Sequence, residues 1–337
     1  MKLNAKEISQ ITLGALSVAE EDGYTVFDRF TAAQLNYYKE TAETSYIRAM
    51  HSASVMMDFT TDSEELSFDY KADGFISRPF HYFDIYEDDI MILHVGSDDA
   101  EVNSGEVKVK LRRGMKRVRI YLPFSRRVGL KDFTLDDGAA IIKSERKLDA
   151  LILGDSITQG YDAHYPSLHY VSLMTERYSM KYVNQAIGGE KFNAGILMNE
   201  KVCDPDVITL AMGINDWANC SFDDTERNAE RYFEALTSIY KDVPVVYISP
   251  IWIDREGNDT TLPATVEMLE SVASSYGAHI IRGLDLVPHD KGMFADGVHP
   301  SDLGFSEYSK KLFGKMDGII DIIKKTKEEK LTGITVL

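Results

Sequence analysis

The chain has 337 residues, with 54 acidic and 37 basic side chains and a formal net charge of −17. Its length suggests about two domains. Its 44% hydrophobic and 27% charged composition is that of an ordinary globular protein, and the negative balance argues against nucleic acid or an anionic membrane as partner.

The N-terminal MKLNAKEISQITLGALS lacks the apolar stretch of a signal peptide, and no window reaches the roughly 18 apolar residues of a membrane span. A cytoplasmic location is therefore expected. Cys203 and Cys220 are too few for a disulfide framework and have no metal-ligand spacing, so they read as reduced thiols or small core residues.

Segment 4–22 reads as partly helical, and 29–41 has a helix-like pattern. From about 44 to 135 the chain reads as strands. Val107, Val109 and Leu111 alternate with Lys108, Lys110 and Arg112; Val118, Ile120 and Leu122 alternate with Arg117, Arg119 and Tyr121; Leu66, Phe68 and Tyr70 repeat the pattern. Such alternation puts one face of an antiparallel sheet in a core and the other in water. Short strands separated by turn clusters predict a β-sandwich over residues 1–147. KSERK (143–147) is the expected junction.

The rhythm then changes. LDALILG (148–154), KYVNQAI (181–187), DVITLAM (206–212), VPVVYIS (243–249) and AHIIRG (278–283) are short apolar runs, with room for a helix between successive runs. This predicts a parallel sheet covered on both faces over 148–327. Phe222, Ala229, Tyr232, Phe233 and Leu236 lie at helical spacing, and a last helix is expected from about 300 to 325, with 328–337 as a tail.

In such a sheet, ligands sit at the carboxyl ends of the strands. Gly154-Asp155-Ser156-Ile157-Thr158, Gly188-Gly189-Glu190, Gly213-Ile214-Asn215-Asp216-Trp217, Pro250-Ile251-Trp252 and Phe294 through Pro300 all fall on that predicted edge. They supply the parts of an acyl-transfer site. Ser156 at a strand-to-helix turn can project its hydroxyl, with the helix N-terminus favouring developing negative charge. Asp296 and His299 are three residues apart, so one turn can set the carboxylate against the imidazole. An asparagine with glycine N–H groups makes an oxyanion hole, each donor contributing about 3–4 kcal/mol in the transition state.

These blocks resemble the SGNH, or GDSL, hydrolase superfamily: GDSIT at 154–158, N-x-x-x-G-G at 184–189, G-x-N-D at 213–216 and D-G-x-H-P at 296–300, within about residues 148–326. The resemblance implies a flavodoxin-like three-layer α/β domain. It makes Ser156 the nucleophile, His299 the base and Asp296 its orienter. The oxyanion hole would be the N–H groups of Ser156 and Gly189 with the Asn215 side chain. Gly189 is preferred to Gly188 because a polar residue, Glu190, follows it directly. Gln185-Ala186 departs from the family's commoner small residues. The β-rich half is similar to the jelly-roll-like sandwich that precedes the catalytic domain in two-domain SGNH carbohydrate esterases. That likeness implies removal of O-acetyl groups from sugars, with neither metal nor cofactor.

The remaining polar and aromatic residues have blander expectations. Asp155 reads as loop-organising and Asp216 as structural, while Glu190, Asp223 and Asp224 read as solvated faces or helix starts. His164 and His169 follow the Ser156 loop, with surface or core placement expected. Trp217, Trp252 and Tyr161 are candidate substrate-binding residues, an aromatic floor for a sugar ring being weighed against plain packing.

The expected partner is a small-molecule or oligosaccharide acyl ester. Oligomeric state stays open, a homodimer included. Rival readings are a thioesterase, lysophospholipase or acyltransferase using the same serine, and an inactive glycan-binding protein. A metal-dependent hydrolase built on Asp155, Asp216, Asp296 and His299 lacks a ligand signature. An α/β-hydrolase fails for want of a G-x-S-x-G elbow.

Overall fold

A computed structural model describes residues 1–332. The chain opens with α1 (Ala5–Gln10), started by an Asn4–Glu7 capping box. Then come β1 (Thr12–Leu13), β2 (Ser17–Glu21), β3 (Tyr24–Asp28), α2 (Ala32–Thr41) and α3 (Glu43–Ala49). The strands that follow are β4 (Met56–Thr61), β5 (Glu65–Asp73), β6 (His81–Glu87), β7 (Ile90–Ser97), β8 (Ser104–Lys110), β9 (Lys116–Tyr121), β10 (Arg127–Leu135) and β11 (Ile142–Lys143).

One antiparallel sheet runs β2-β3-β10-β5-β8; the other runs β1-β4-β9-β6-β7, with β11 paired to β4. The alternation legible in the sequence decides which side chains meet between them. Leu66, Phe68, Tyr70 and Ala72 of β5 all point inward. Phe27, Phe68, Val128 and Leu130 from one sheet pack with Phe59, Phe83, Ile85, Val118 and Ile120 from the other. Burying each such phenylalanine stabilises the fold by about 1.5–3 kcal/mol.

Two details differ from expectation. Residues 43–49 form a helix where strands were expected to begin, and β2 and β3 come earlier than the strand pattern suggested. β2 is an edge strand exposed on almost every residue, so it carries no alternation to read.

The second half begins with β12 (Leu148–Gly154), α4 (Ser156–Gln159), α5 (Tyr170–Arg177) and β13 (Met180–Asn184). It continues with β14 (Val207–Ala211), α6 (Ile214–Asn219), α7 (Phe222–Ile239), β15 (Val245–Ile248), α8 (Thr261–Ser275), β16 (His279–Ile281) and α9 (Asp302–Thr332). The strands form a parallel sheet ordered β13-β12-β14-β15-β16.

β12 is buried on both faces. Leu148, Ala150 and Ile152 face a cluster containing α5 and α9, and Leu151 and Leu153 face one containing α7. This is the three-layer α/β domain preceded by a β-sandwich. Strand order reverses at β12, which places a crevice beyond its carboxyl end. Residues 328–332 of the expected tail continue α9; 333–337 lie outside the described residues. Among the described residues no helix is long and apolar enough to cross a membrane.

The two halves are joined by polar groups. The Arg29 guanidinium is fully buried. It donates to the carbonyls of His51 at 2.6 Å, Asn184 at 2.6 Å, Ala186 at 2.9 Å and Arg48 at 2.9 Å. Burial lowers its pKa to about 9. Arg117 of β9 bonds both Asp58 of β4 (2.7 and 2.8 Å) and Glu176 of α5 (2.5 and 3.0 Å). Gly14 bridges in parallel to Val183 of β13, its N–H donating to the Tyr182 carbonyl at 3.0 Å. There the backbone has φ +89°, and a Cβ would lie 2.3 Å from the Ser54 carbonyl oxygen, so only glycine fits.

Candidate active site

Ser156 stands two residues past the end of β12, at the start of α4. Gly154 lets the turn close, because a Cβ there would meet Thr158 Oγ1 at 2.3 Å. Asp155 caps α4 by accepting from Ile157 N at 3.0 Å, the loop-organising role expected of it. Burial raises its carboxyl to about 7, helped by the nearby charge of Asp216. α4 is a single turn that ends at Gly160 (φ +105°), so individual amides matter here more than a helix dipole.

Residues 294–300 fold into a tight loop closed by the Phe294–Pro300 bridge and the Ala295 N to His299 O bond of 2.9 Å. Asp296 Oδ1 accepts from the N–H groups of Val298 (3.0 Å) and His299 (2.9 Å). Its Oδ2 faces His299 Nδ1 at 2.9 Å. Burial works against the Asp296 charge, but the bonds from the His299 ring and backbone outweigh it and hold the carboxyl far below its usual range. The other ring nitrogen, Nε2, lies 2.8 Å from Ser156 Oγ. Serine, imidazole and carboxylate thus stand in one file, joined by two hydrogen bonds.

The next two loops supply donors. Gly188 N–H is spent on Gln159 Oε1 at 2.6 Å, and the Gly188 carbonyl accepts from Arg48 Nη1 at 2.7 Å. Gly189 is exposed, at φ +81°, and its amide donates to no other described residue. The same holds for the Ser156 amide. This separates the two glycines. A Cβ on Gly188 would lie 2.6 Å from the Tyr161 hydroxyl, so that glycine serves packing, and Gly189 presents the unused N–H.

Asn215 sits in the first turn of α6 and donates to the Glu190 carbonyl at 3.0 Å, which leaves its second amide hydrogen. Asp216 is structural, as expected: it is buried and accepts from Phe192 N at 3.2 Å. Burial lifts its pKa to about 6.

Other predicted residues fall elsewhere. Tyr161 is buried with its ring 5.3 Å from that of His299, so it walls the site. Trp252 is a core side chain, stacked 5.1 Å from His289 and packed on Phe294, and it offers no face to a sugar. Trp217 is half-buried, its indole N–H donating to Thr261 Oγ1 at 3.0 Å. His169 is buried, with Nε2 bonded to the Ile157 carbonyl at 2.9 Å, and His164 stacks on Phe80 at the surface. Glu190 was expected to be solvated. Instead it is half-buried and accepts a short hydrogen bond from Tyr38 of α2, and burial raises its pKa. Asp155 and Asp216, imagined as metal ligands, are committed to backbone N–H groups.

Sequence reasoning missed four contributors. Arg78, on the β5–β6 loop, bonds Asp162 and Asp296. Asp162 lies 3.4 Å from His299 Nδ1. Arg48 and Gln159 hold the two ends of Gly188. Arg78 and Arg48 lie 218 and 140 residues from their partners, and no local pattern marks them.

Residues 152–306 match the family model of the GDSL-like Lipase/Acylhydrolase family. The parallel-sheet half of the chain thus resembles the GDSL-like lipase/acylhydrolases over most of its length, and that likeness supports an esterase or acylhydrolase. No curated protein matches the chain by sequence.

Several solved structures share both domains. One from Bacteroides ovatus, described as a GDSL-like lipase, is 18% identical with a TM-score of 0.75, over 95% of this chain and 98% of that one. The salicylyl-acyltransferase SsfX3 from a tetracycline biosynthetic pathway is 20% identical with a TM-score of 0.71, over 91% and 94%. A family two carbohydrate esterase from Cellvibrio japonicus is 14% identical with a TM-score of 0.63, over 95% and 98%.

Proposed function

We propose that the protein is a serine esterase that removes O-acyl groups, foremost O-acetyl, from carbohydrates. The observation that carries this reading is the file Ser156–His299–Asp296, with contacts of 2.8 and 2.9 Å, at the carboxyl edge of the sheet. His299 Nε2 takes the Ser156 proton as Oγ attacks the acyl carbon. The oxyanion is held by the Ser156 and Gly189 N–H groups and the free Asn215 amide hydrogen. The His299 imidazolium then protonates the departing sugar hydroxyl. Water, activated by the same nitrogen, attacks the acyl-Ser156 carbonyl and releases the acid.

Support for a polar alcohol comes from the polar and charged groups that hold the site's loops: Arg78 and Asp162 at His299, Arg48 at Gly188 and Asn215 at Glu190. The carbohydrate esterase from Cellvibrio japonicus lends its substrate class by shared fold. A cytoplasmic role on imported oligosaccharides or metabolites belongs to the same proposal. The test is Ser156→Ala with 4-nitrophenyl acetate, which should lose about 10⁴-fold or more of kcat. Hydrolysis that survived the change would remove Ser156 from the role. Acetate release from a panel of acetylated mono- and oligosaccharides tests the substrate class.

Transfer of the acyl group to an alcohol other than water is the second reading, favoured by the two-domain match to the salicylyl-acyltransferase. It predicts that an added acceptor alcohol speeds 4-nitrophenol release and suppresses acid formation. A sharp preference for acyl chains of eight carbons or more would count against both and favour a lysophospholipase or thioesterase.

A further inference from the structure

We propose that Arg78 and Asp162 are positioning residues of the reaction: an ion pair, with its cation supplied by the sandwich, that fixes the tautomer and charge balance of His299. The inference rests on the Ser156–His299–Asp296 reading.

Arg78 reaches out of the β5–β6 loop, and only 18% of its side chain is exposed. Nε lies 2.9 Å from Asp162 Oδ1, and Nη2 lies 2.5 Å from Asp162 Oδ2 and 2.7 Å from Asp296 Oδ2. Its plane sits over Tyr161 at 5.0 Å. Burial disfavours the Arg78 charge, but Asp162 and then Asp296 more than offset this and keep it firmly protonated.

Nη2 also comes within 3.1 Å of His299 Nδ1. A guanidinium nitrogen of this kind carries two hydrogens. The two carboxylate bonds use both, so Nδ1 receives none. It must carry its own hydrogen and donate to Asp296 Oδ2. That leaves Nε2 bare toward Ser156 Oγ, the tautomer a general base needs.

The charges can be counted around the ring. His299 is faced by Asp296 from its own loop, by Asp162 and Tyr161 from the turn after α4, by Arg78 from the sandwich, and by Ser156 across the site. Two carboxylates and one guanidinium leave a single negative charge, which the imidazolium neutralises. Loss of Arg78 would leave two carboxylates at 2.9 and 3.4 Å from Nδ1 and over-stabilise the imidazolium. Loss of the Asp162 charge would leave the guanidinium opposing it.

The pair therefore makes predictions of opposite sign for the full chain acting on 4-nitrophenyl acetate. Arg78→Gln should move the acid limb of the kcat/KM profile up by about 1 pH unit, and Asp162→Asn should move it down by about 1. The double variant should return it close to the parent position. Each single change should lower kcat more than it raises KM. Arg78→Lys keeps the charge and should hold the limb in place with a partial loss of kcat.

Arg78→Gln and Asp162→Asn leaving the limb unmoved, or moving it the same way, overturn the proposal, as does a limb displaced by Arg78→Lys. If Arg78→Gln fails to fold, Arg78→Lys and Asp162→Asn still decide it. A fluorophosphonate probe keeps the two readings apart. Labelling at Ser156 with unmoved profiles sinks the ion pair alone; no labelling at Ser156 sinks the acyl-serine reading.

Discussion

From the parallel-sheet domain the site receives short side chains on tight turns: Ser156, Asn215, Asp296 and His299. From the sandwich side it receives long ones: Arg29, Arg48 and Arg78. The first set touches the reacting atoms in the proposed reaction. The second set grips the loops that carry them, at Asn184 and Ala186, at Gly188, and at Asp162 and Asp296. Reactive groups must be few and close, and the compact turns at strand ends provide that. Holding those turns still needs donors that can span a domain boundary, and arginine has five in a rigid fork.

Arg29→Met gives the largest expected loss of stability and strikes this division of labour directly. It leaves the carbonyls of His51, Asn184 and Ala186 buried without their donor. At about 1–3 kcal/mol for each unsatisfied buried group, urea unfolding should show a loss of about 3 kcal/mol or more. A chain whose halves merely touched would show a loss near zero, and that result would break the comparison.

Asn215→Ala belongs to the other set. It should lower kcat about 10²–10³-fold, with KM and the unfolding midpoint little changed. A matching fall in stability would move Asn215 among the residues that hold loops.

The most gradual effect, spread over several pH units, concerns Asp155. Its carboxyl, raised to about 7, keeps its proton in the folded protein at pH values where the unfolded chain releases it near 4. Stability from that difference is full below about pH 4 and is lost as pH rises through about 7. Asp155→Asn retains a capping oxygen and removes the titration. Relative to the parent it should gain up to about 1.4 kcal/mol per pH unit between 4 and 7. Urea melts at pH 5, 6 and 7 check this, and parallel curves for the two proteins would show that Asp155 is ionised in the fold.

The same contrast explains what could be read from the sequence. Period-two alternation at 107–111, at 117–122 and along β5 reflects a one-sided sheet, and five apolar runs reflect a two-sided one; both depend only on neighbouring residues. The blocks around Ser156, Gly189, Asn215 and Asp296–His299 are local as well, because each sits on a single turn. β2 escaped because an edge strand with both faces in water has no pattern. Trp252 was offered as a sugar platform because its position after β15 says nothing about His289, which folds over it. Glu190 was placed in solvent because Tyr38 lies 152 residues away. Arg78 and Asp162 stayed hidden for the same reason: their meaning arises only when two domains close on each other.

Gly14 carries a consequence of another kind. β13 is the outer strand of the parallel sheet, and an outer strand exposes a row of backbone groups on which a foreign chain can add. The bridge from Gly14 to Val183 takes up the Tyr182 carbonyl on that margin. The protein thus covers part of that border with a segment from its first fifteen residues. Until that segment is in place during folding, the parallel-sheet half carries an open seam at which a second chain can add.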